Sequence, residues 1–431
     1  MILRLLSDAL LVIALVGLMA STVYLLLAAV ATLRFRASRS GRGAASRNVP
    51  PVSILKPVHG AEPRLEECLE SFFGQRYPQF EIVFGSRHRG DAALDTINKL
   101  TLKYPHVPTK IVIAGRPVYP NAKVSTLEAI IREASFPCLV IADSDARVGP
   151  DCLAEVTGPL DDPGVGLVTC LYRGVPTGGL SSRLEALGMS VELASGVLVA
   201  NMLEGMRFAL GPTSAIRADV LHTIGGIGSL GEYCADDYVL GQRVHAAGST
   251  VVLSPYVIDH VAVNRSFRAS VAHQLRWNRS TRFSRPWGHV GSVLTFAMPF
   301  GVAGFAAAAA LGRMSWAVGL ACAAVMNRVL QCLIVGWGAV RDPECLKYCW
   351  IYPLRDVTGF LVWCGSLCGT GIVWRNERYD LTAGGRLRRR EPPAPLPIAA
   401  ADHEAAGPGP ELVEGLRREP VEGERGRRAL G

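Results

Sequence analysis

The sequence predicts an α/β domain built on a mostly parallel sheet and flanked by transmembrane helices. Three observations carry that prediction. Strand-like apolar runs and helix-spaced runs alternate from Pro50 to about Pro286, the pattern left by right-handed β–α–β crossovers. Long uncharged stretches stand on both sides of this region. Of the 431 residues, 49% are hydrophobic and 19% charged, which suits a membrane protein with a sizeable soluble part. The third observation is VIADSDARVGP at 140–150, where a buried-strand pattern stops at two carboxylates.

Taken in order, the chain carries no charge between Ala9 and Leu33, a run that exceeds the roughly 20 residues needed to cross a bilayer. Arg34, Arg36, Arg39, Arg42 and Arg47 follow; the positive-inside rule puts that end in the cytoplasm and the amino terminus outside. Residues 1–48 therefore read as a transmembrane helix with a basic juxtamembrane segment, and 49–287 as the cytoplasmic α/β domain. Within it, strands are expected at 52–55, 81–85, 110–113 and 138–142, with helices at 64–73, 92–104 and 125–133 between them. A further strand at 166–171 precedes a weakly charged helix at 180–199, whose apolar surface either rests on the bilayer or packs as ordinary core.

Residues 288–378 read as transmembrane or re-entrant helices, with candidate spans at 292–311, 314–340 and 353–374. Arg328 inside the second span is costly unless it faces protein or snorkels. Three full crossings would carry the arginine-rich end outside, so one segment is expected to be re-entrant or interfacial. The Pro-, Gly-, Glu- and Arg-rich remainder, 379–431, reads as a disordered tail. Eleven cysteines without a C-x-x-C spacing suit reduced thiols on a cytoplasmic face, where the sequons at Asn264 and Asn278 carry little meaning. The net charge of +8 lies largely in juxtamembrane and carboxy-terminal arginines, which fits an anionic membrane surface better than nucleic acid.

In an open α/β sheet the ligand sits beyond the carboxyl ends of the strands. Here those ends carry Lys56, the stretch 87–91, Asp143 and Asp145. Carboxylates at i and i+2 can both enter that crevice and suit a hard divalent cation holding a diphosphate; turn chemistry is the simpler alternative. In CADDYVL, Asp236 and Asp237 stand at a helix start, where the dipole favours carboxylates. One of the pair could instead serve as a general base. A helix through AHQLRWNRSTR (272–282) puts His273, Arg276 and Trp277 on one side, although a basic interfacial helix would look similar. GIGSLG at 226–231 matches G-x-G-x-x-G but lacks the strand before it, the helix after it and the acidic partner, so it reads as a loop.

These motifs in this order resemble the membrane-bound family A glycosyltransferases of the ceramide glucosyltransferase group, marked by a D, D, D, (Q/R)xxRW series. The aspartates match Asp91, Asp143 within DSD and Asp237 within ADDY, and the last motif matches HQLRW. SILKPVHG (53–60) and NAK (121–123) are similar to that group's nucleotide-binding segments. His273 departs from the usual Gln or Arg, while Arg276 and Trp277 match. GLVTCLYRGVPTGG (166–179), with HQLRW, is most similar to hopanoid-biosynthesis-associated members. Those are implied to move N-acetylglucosamine from UDP-N-acetylglucosamine to bacteriohopanetetrol.

The resemblance implies a glycosyltransferase A fold and an inverting, metal-dependent transfer to a membrane lipid at a bacterial inner membrane. It implies Asp143 and Asp145 as ligands of Mg²⁺ or Mn²⁺, and Asp237 as catalytic base with Asp236 beside it. Lys56, Asp91, Lys123, Asp143, His273, Gln274, Arg276 and Trp277 are assigned to the UDP-sugar. A ceramide glucosyltransferase using UDP-glucose is the rival enzyme; a membrane-anchored scaffold with a silent domain is the rival from another class, disfavoured by the complete aspartate series.

Overall fold

The computed structural model describes residues 1–40, 49–262, 266–375, 377–390 and 411–414. Arg42, Arg47, the Asn264 sequon and most of the expected tail lie outside the described residues. Helix α1 (Ile2–Ser40) holds the first apolar run. Alternation then builds the sheet through β1 (Val52–Pro57), α2 (Leu65–Phe73), β2 (Phe80–Ser86), α3 (Ala93–Lys103), β3 (Thr109–Ile113), α4 (Ala122–Arg132) and β4 (Cys138–Ala142). The short β5 (Ala146–Arg147), α5 (Cys152–Thr157) and β6 (Val165–Pro176) follow. Next come α6 (Gly179–Leu187) and α7 (Ala194–Glu204), then β7 (Thr213–Arg217), α8 (Ala218–Thr223), α9 (Asp236–Ala246) and β8 (Thr250–Ala262).

In the sheet β3, β2, β1 and β4 lie side by side and parallel. β7 runs antiparallel between β4 and β6, β8 lies parallel to β6, and β5 closes that edge. On the other edge β12 (Glu411–Glu414) pairs antiparallel with β3. The periodicity that predicts α2 is the periodicity that buries it: Leu65, Cys68, Leu69, Phe72 and Phe73 all face the core. All five residues of β4 are buried, because helices cover both faces of a parallel sheet and leave a strand no polar side. Gly85 of β2 lets α4 approach closely, since a Cβ there would stand 2.5 Å from a methyl of Ile130. Together these contacts fix the ends of β1, β2 and β4 as one rim.

The membrane side is assembled from α10 (Phe267–Ser284), α11 (Pro286–Gly291), α12 (Met298–Ala310), α13 (Met314–Gln331), α14 (Pro343–Tyr348) and α15 (Tyr352–Ser366). Among the described residues, three helical stretches are long and apolar enough to cross a membrane: 2–38, 179–204 and 314–337. The pair 286–295 and 298–310, bent by 52°, is a broken span or a re-entrant loop. The stretch from α6 to α7 is broken by a π-helical turn, Gly188–Leu193, and 61% of its apolar window is buried inside the protein, so core packing takes most of that surface. Arg328 neither snorkels nor faces lipid. It is buried against Asp356 at 3.0 Å, and Asp356 in turn accepts from the backbone N–H groups of Ala297 and Met298 at the bend.

Two sequence expectations are corrected here. The run 353–374 is not one long span, because α15 has only 15 residues and β9 (Gly371–Trp374) follows it. Nor does the tail begin at 379: β10 (Glu377–Thr382) and β11 (Arg386–Arg389) form a three-stranded sheet with β9. Tyr379, Leu381 and Leu387 bury themselves with Cys234 and Ile372. The density of arginine hides an alternation in which only every second residue needs to be apolar.

Candidate functional site

The Asp143–Asp145 turn is held through its backbone. Lys56 lies buried at the end of β1 above the Phe72 ring and donates from Nζ to the Asp143 carbonyl at 2.8 Å. The Asp143 N–H donates to the Pro212 carbonyl at 3.1 Å, and the Asp145 carbonyl accepts from the Val261 N–H at 3.0 Å. Three strands or their approaches thus fix one turn, leaving its carboxylate side chains 26% and 20% exposed for Asp143 and Asp145. Lys56 is therefore buried beneath this turn, its ammonium spent on the Asp143 carbonyl and the Phe72 ring. Burial lowers its pKa to about 8.

Lys123 stands at the start of α4, where Asn121 caps the helix by accepting from the N–H groups of Lys123 and Val124. Its Nζ lies 2.6 Å from Asp143 Oδ1 and 3.9 Å from Asp236 Oδ2. Burial works against that ammonium, but the facing aspartates outweigh it and hold its pKa above the ordinary value. Asp236 also accepts from Asn121 Nδ2 at 3.2 Å. Neither Asp236 nor Asp237 caps α9; its cap residue is Ala235, without a side-chain bond. Asp237 accepts from the Tyr238 N–H through Oδ1, while its Oδ2 turns over Gly211. A Cβ on Gly211 would stand 3.0 Å from Asp237 Oδ2 and 3.6 Å from Asp143 Oδ2. The two acidic turns therefore converge over one glycine. Burial, then the Asp236 charge, raises the Asp237 pKa to about 6.

On the other side, Asp145 Oδ1 lies 3.4 Å from His260 Nδ1, and both atoms are buried without a hydrogen-bond partner. A facing carboxylate oxygen and imidazole nitrogen, each unsatisfied, form a donor set that accommodates a divalent cation. Among the described residues no cluster of three or more such ligands stands preassembled, so phosphate oxygens would have to complete the shell. Glu62 accepts from Ser144 at 2.6 Å, and burial followed by the Asp145 charge raises its pKa to about 7. Tyr172 packs against His260 with ring centroids 5.2 Å apart.

The remaining expected residues divide. Asp91 is nearly sealed: its carboxylate accepts from the N–H of Gly60 and Ala93 and the hydroxyl of Ser86, and its side chain is 1% exposed. Burial opposes its charge, yet those donors outweigh burial and hold its pKa below the ordinary value. It fastens the 59–60 loop to the start of α3. Gln274 is likewise turned inward, bonding Ser270 and accepting from Arg355. His273 bonds Glu185 at 2.8 Å and packs its ring 4.4 Å from Trp277, so the departure from Gln or Arg is absorbed by a buried carboxylate. Arg276 lies 5.3 Å above the Trp374 ring.

Glu62, His260, Tyr172, Gly211 and the β9–β11 hairpin were missed by sequence reasoning. Asn121 alone had a signal, as the first residue of the NAK segment. Tyr172 lies within the 166–179 stretch but nothing there singles it out, and the others sit on distant strands and loops whose local sequence marks nothing.

A parallel sheet with a carboxylate-and-lysine crevice at its strand ends, joined to apolar helices, defines a membrane-associated nucleotide-sugar glycosyltransferase of the A fold. The chain belongs to glycosyl transferase family 21, whose family signature matches residues 9–387. It is 25% identical over 370 residues to ceramide glucosyltransferase 1 of Caenorhabditis elegans, covering 82% of this chain and 76% of that one. Ceramide glucosyltransferase 3 of the same organism is 25% identical over 353 residues, covering 79% and 74%. Among solved structures, a mannosyltransferase from Pyrobaculum calidifontis in complex with GDP-Man and Mn²⁺ superposes with a TM-score of 0.51 at 20% identity, covering 81% of this chain and 97% of that one. That likeness supports the fold.

Proposed function

We propose that this protein transfers a sugar from a UDP-sugar to a hydroxyl of a membrane lipid with inversion at the anomeric carbon. The observation that carries the reading is the convergence of Asp143 Oδ2 and Asp237 Oδ2 over Gly211, with Lys123 spanning Asp143 and Asp236. Donor and acceptor chemistry then meet in one crevice.

Asp145 and His260, with Asp143 beside them, are the residues that would hold Mg²⁺ or Mn²⁺. Such an ion supplies neutralisation of the charge that develops on the departing nucleoside diphosphate. Lys123 holds Asp143 in register and lowers the cost of gathering three carboxylates. Asp237 takes the proton of the acceptor hydroxyl through Oδ2, its other oxygen being fixed by the Tyr238 N–H. The acceptor oxygen bonds to the anomeric carbon as the bond from that carbon to the diphosphate oxygen breaks, and UDP leaves with the electron pair. Arg276 and Trp277 sit on the membrane-side helix α10 and shape the acceptor approach.

The finer reading is N-acetylglucosamine transfer to bacteriohopanetetrol, supported by the 166–179 stretch and by His273 in HQLRW. Glucose transfer to ceramide is the second reading, supported by the two nematode relatives. Membranes containing the full chain, supplied with UDP-N-acetylglucosamine or UDP-glucose and with each lipid, separate the two. Product from only the UDP-glucose and ceramide pair would overturn the hopanoid reading; no product from any pair would overturn lipid glycosylation.

A further inference from the structure

We propose that the carboxy-terminal hairpin roofs the donor site and that Arg375 contacts the diphosphate of the nucleotide sugar, an assignment that rests on the donor reading above. The hairpin is tied to the catalytic domain at several points. Tyr379 Oη donates to the Pro120 carbonyl at 3.1 Å, directly before the Asn121 cap. The Gly385 carbonyl accepts from the Cys234 N–H at 3.0 Å, and the Leu387 N–H donates to the Glu232 carbonyl at 2.7 Å, two contacts just ahead of Asp236. Glu377 lies 3.6 Å from Arg87 at the end of β2. From α10, Arg279 and Arg282 reach the carbonyls of Cys368, Ser366 and Gly369 at the hairpin's entry.

These ties fix where Arg375 stands. It directly follows Trp374, which carries the Arg276 guanidinium on its ring, and it lies between Arg276 and Arg87. Its charge acts on Glu62 together with those of Asp145 and Asp143, on His59 and Arg87, and on Arg276 together with that of Asp237. Arg375 thus stands in the turn between Trp374, whose ring carries Arg276, and Glu377, 3.6 Å from Arg87. Three guanidiniums gather here although like charges repel, and the Glu377 carboxylate near Arg87 is shared with Arg389 at 3.6 Å. A dianionic diphosphate supplies the missing counter-charge and matches guanidinium geometry. Because Trp374 pairs with Glu377, Arg375 is the first residue of a two-residue hairpin turn, and its φ of 49° is the left-handed conformation such a turn uses.

The test compares UDP and uridine binding to the full chain in detergent for wild type, Arg375→Gly and Arg375→Lys. Glycine adopts φ 49° freely, so a purely structural Arg375 predicts unchanged binding and an equal or higher melting temperature in the glycine variant. A diphosphate contact predicts that Arg375→Gly weakens UDP by about tenfold or more and leaves uridine unchanged, with partial recovery in Arg375→Lys. Equal UDP affinity in the glycine variant, or equal loss of UDP and uridine, overturns the contact. A wild-type chain that binds no UDP overturns the donor reading and this assignment with it.

Discussion

The two acidic turns of the site use the same side chain to opposite ends. At 143–145 the protein grips the backbone, through Lys56, Pro212 and Val261, and leaves the carboxylates 26% and 20% exposed, with Lys123 2.6 Å from Asp143 Oδ1. At 236–237 it grips a side chain, with Asn121 and Lys123 on Asp236, and the desolvation of half-buried Asp237, with the Asp236 charge beside it, raises its pKa to about 6. In the proposed reaction, fixing the backbone would present charge to a cation, while desolvating the carboxyl tunes its affinity for a proton. Lys123 touches both turns, so one ammonium balances the two strategies.

The largest effect that could break this comparison is at the first turn. Asp145→Ala, or EDTA on the wild type, is expected to abolish detectable transfer, and the substitution should weaken UDP binding chiefly when Mg²⁺ or Mn²⁺ is present. Undiminished transfer in EDTA would remove the cation from the first turn altogether. At the second turn, Asp237→Asn keeps volume and charge-free hydrogen bonding, so turnover should fall by roughly 10²-fold or more while UDP affinity stays within a few fold. Near-normal turnover would return Asp237 to a structural role.

A smaller and more specific effect is the pH profile. A base must be unprotonated, and the Asp237 pKa lies near 6, so kcat/KM should fall as pH drops through about 6 with a slope of one proton. Asp237→Asn should erase that limb, whereas its survival in the variant would assign it to Glu62 or another group. The smallest effect tests the convergence itself. Gly211→Ala puts a methyl 3.0 Å from Asp237 Oδ2 and 3.6 Å from Asp143 Oδ2, and it is expected to lower kcat about tenfold with little change in thermal stability. An unchanged kcat would mean that the two oxygens do not share one reaction space.

Much of the fold was legible because its causes are local. The five buried positions of α2, the continuous apolar run of β4 and the uncharged length of α1 each declare themselves within a dozen or so residues. The aspartate series was legible too, since carboxylates at strand and helix ends stand out against apolar surroundings. The bond from Lys56 to the Asp143 carbonyl was not legible, because a lysine at a strand end looks the same whether its ammonium turns toward the crevice or beneath it. Arg328 was legible as a problem, a charge in an apolar helix, but its solution required Asp356 and the bend at Ala297, which no spacing announces.

By itself the sequence determined the alternating α/β order, the apolar segments and the acidic motifs, since each follows from periodicity or from the chemistry of a few neighbouring residues. Only tertiary structure decided that Asp145 faces His260, that Asp143 and Asp237 meet over Gly211, and that a segment rich in arginine folds back as β9–β11 and ties itself to Pro120, Glu232 and Cys234. Those facts depend on strand order and on helices packed from opposite ends of the chain. Side chains far apart in sequence acquire their distance, burial and proton affinity only when the sheet brings its ends together.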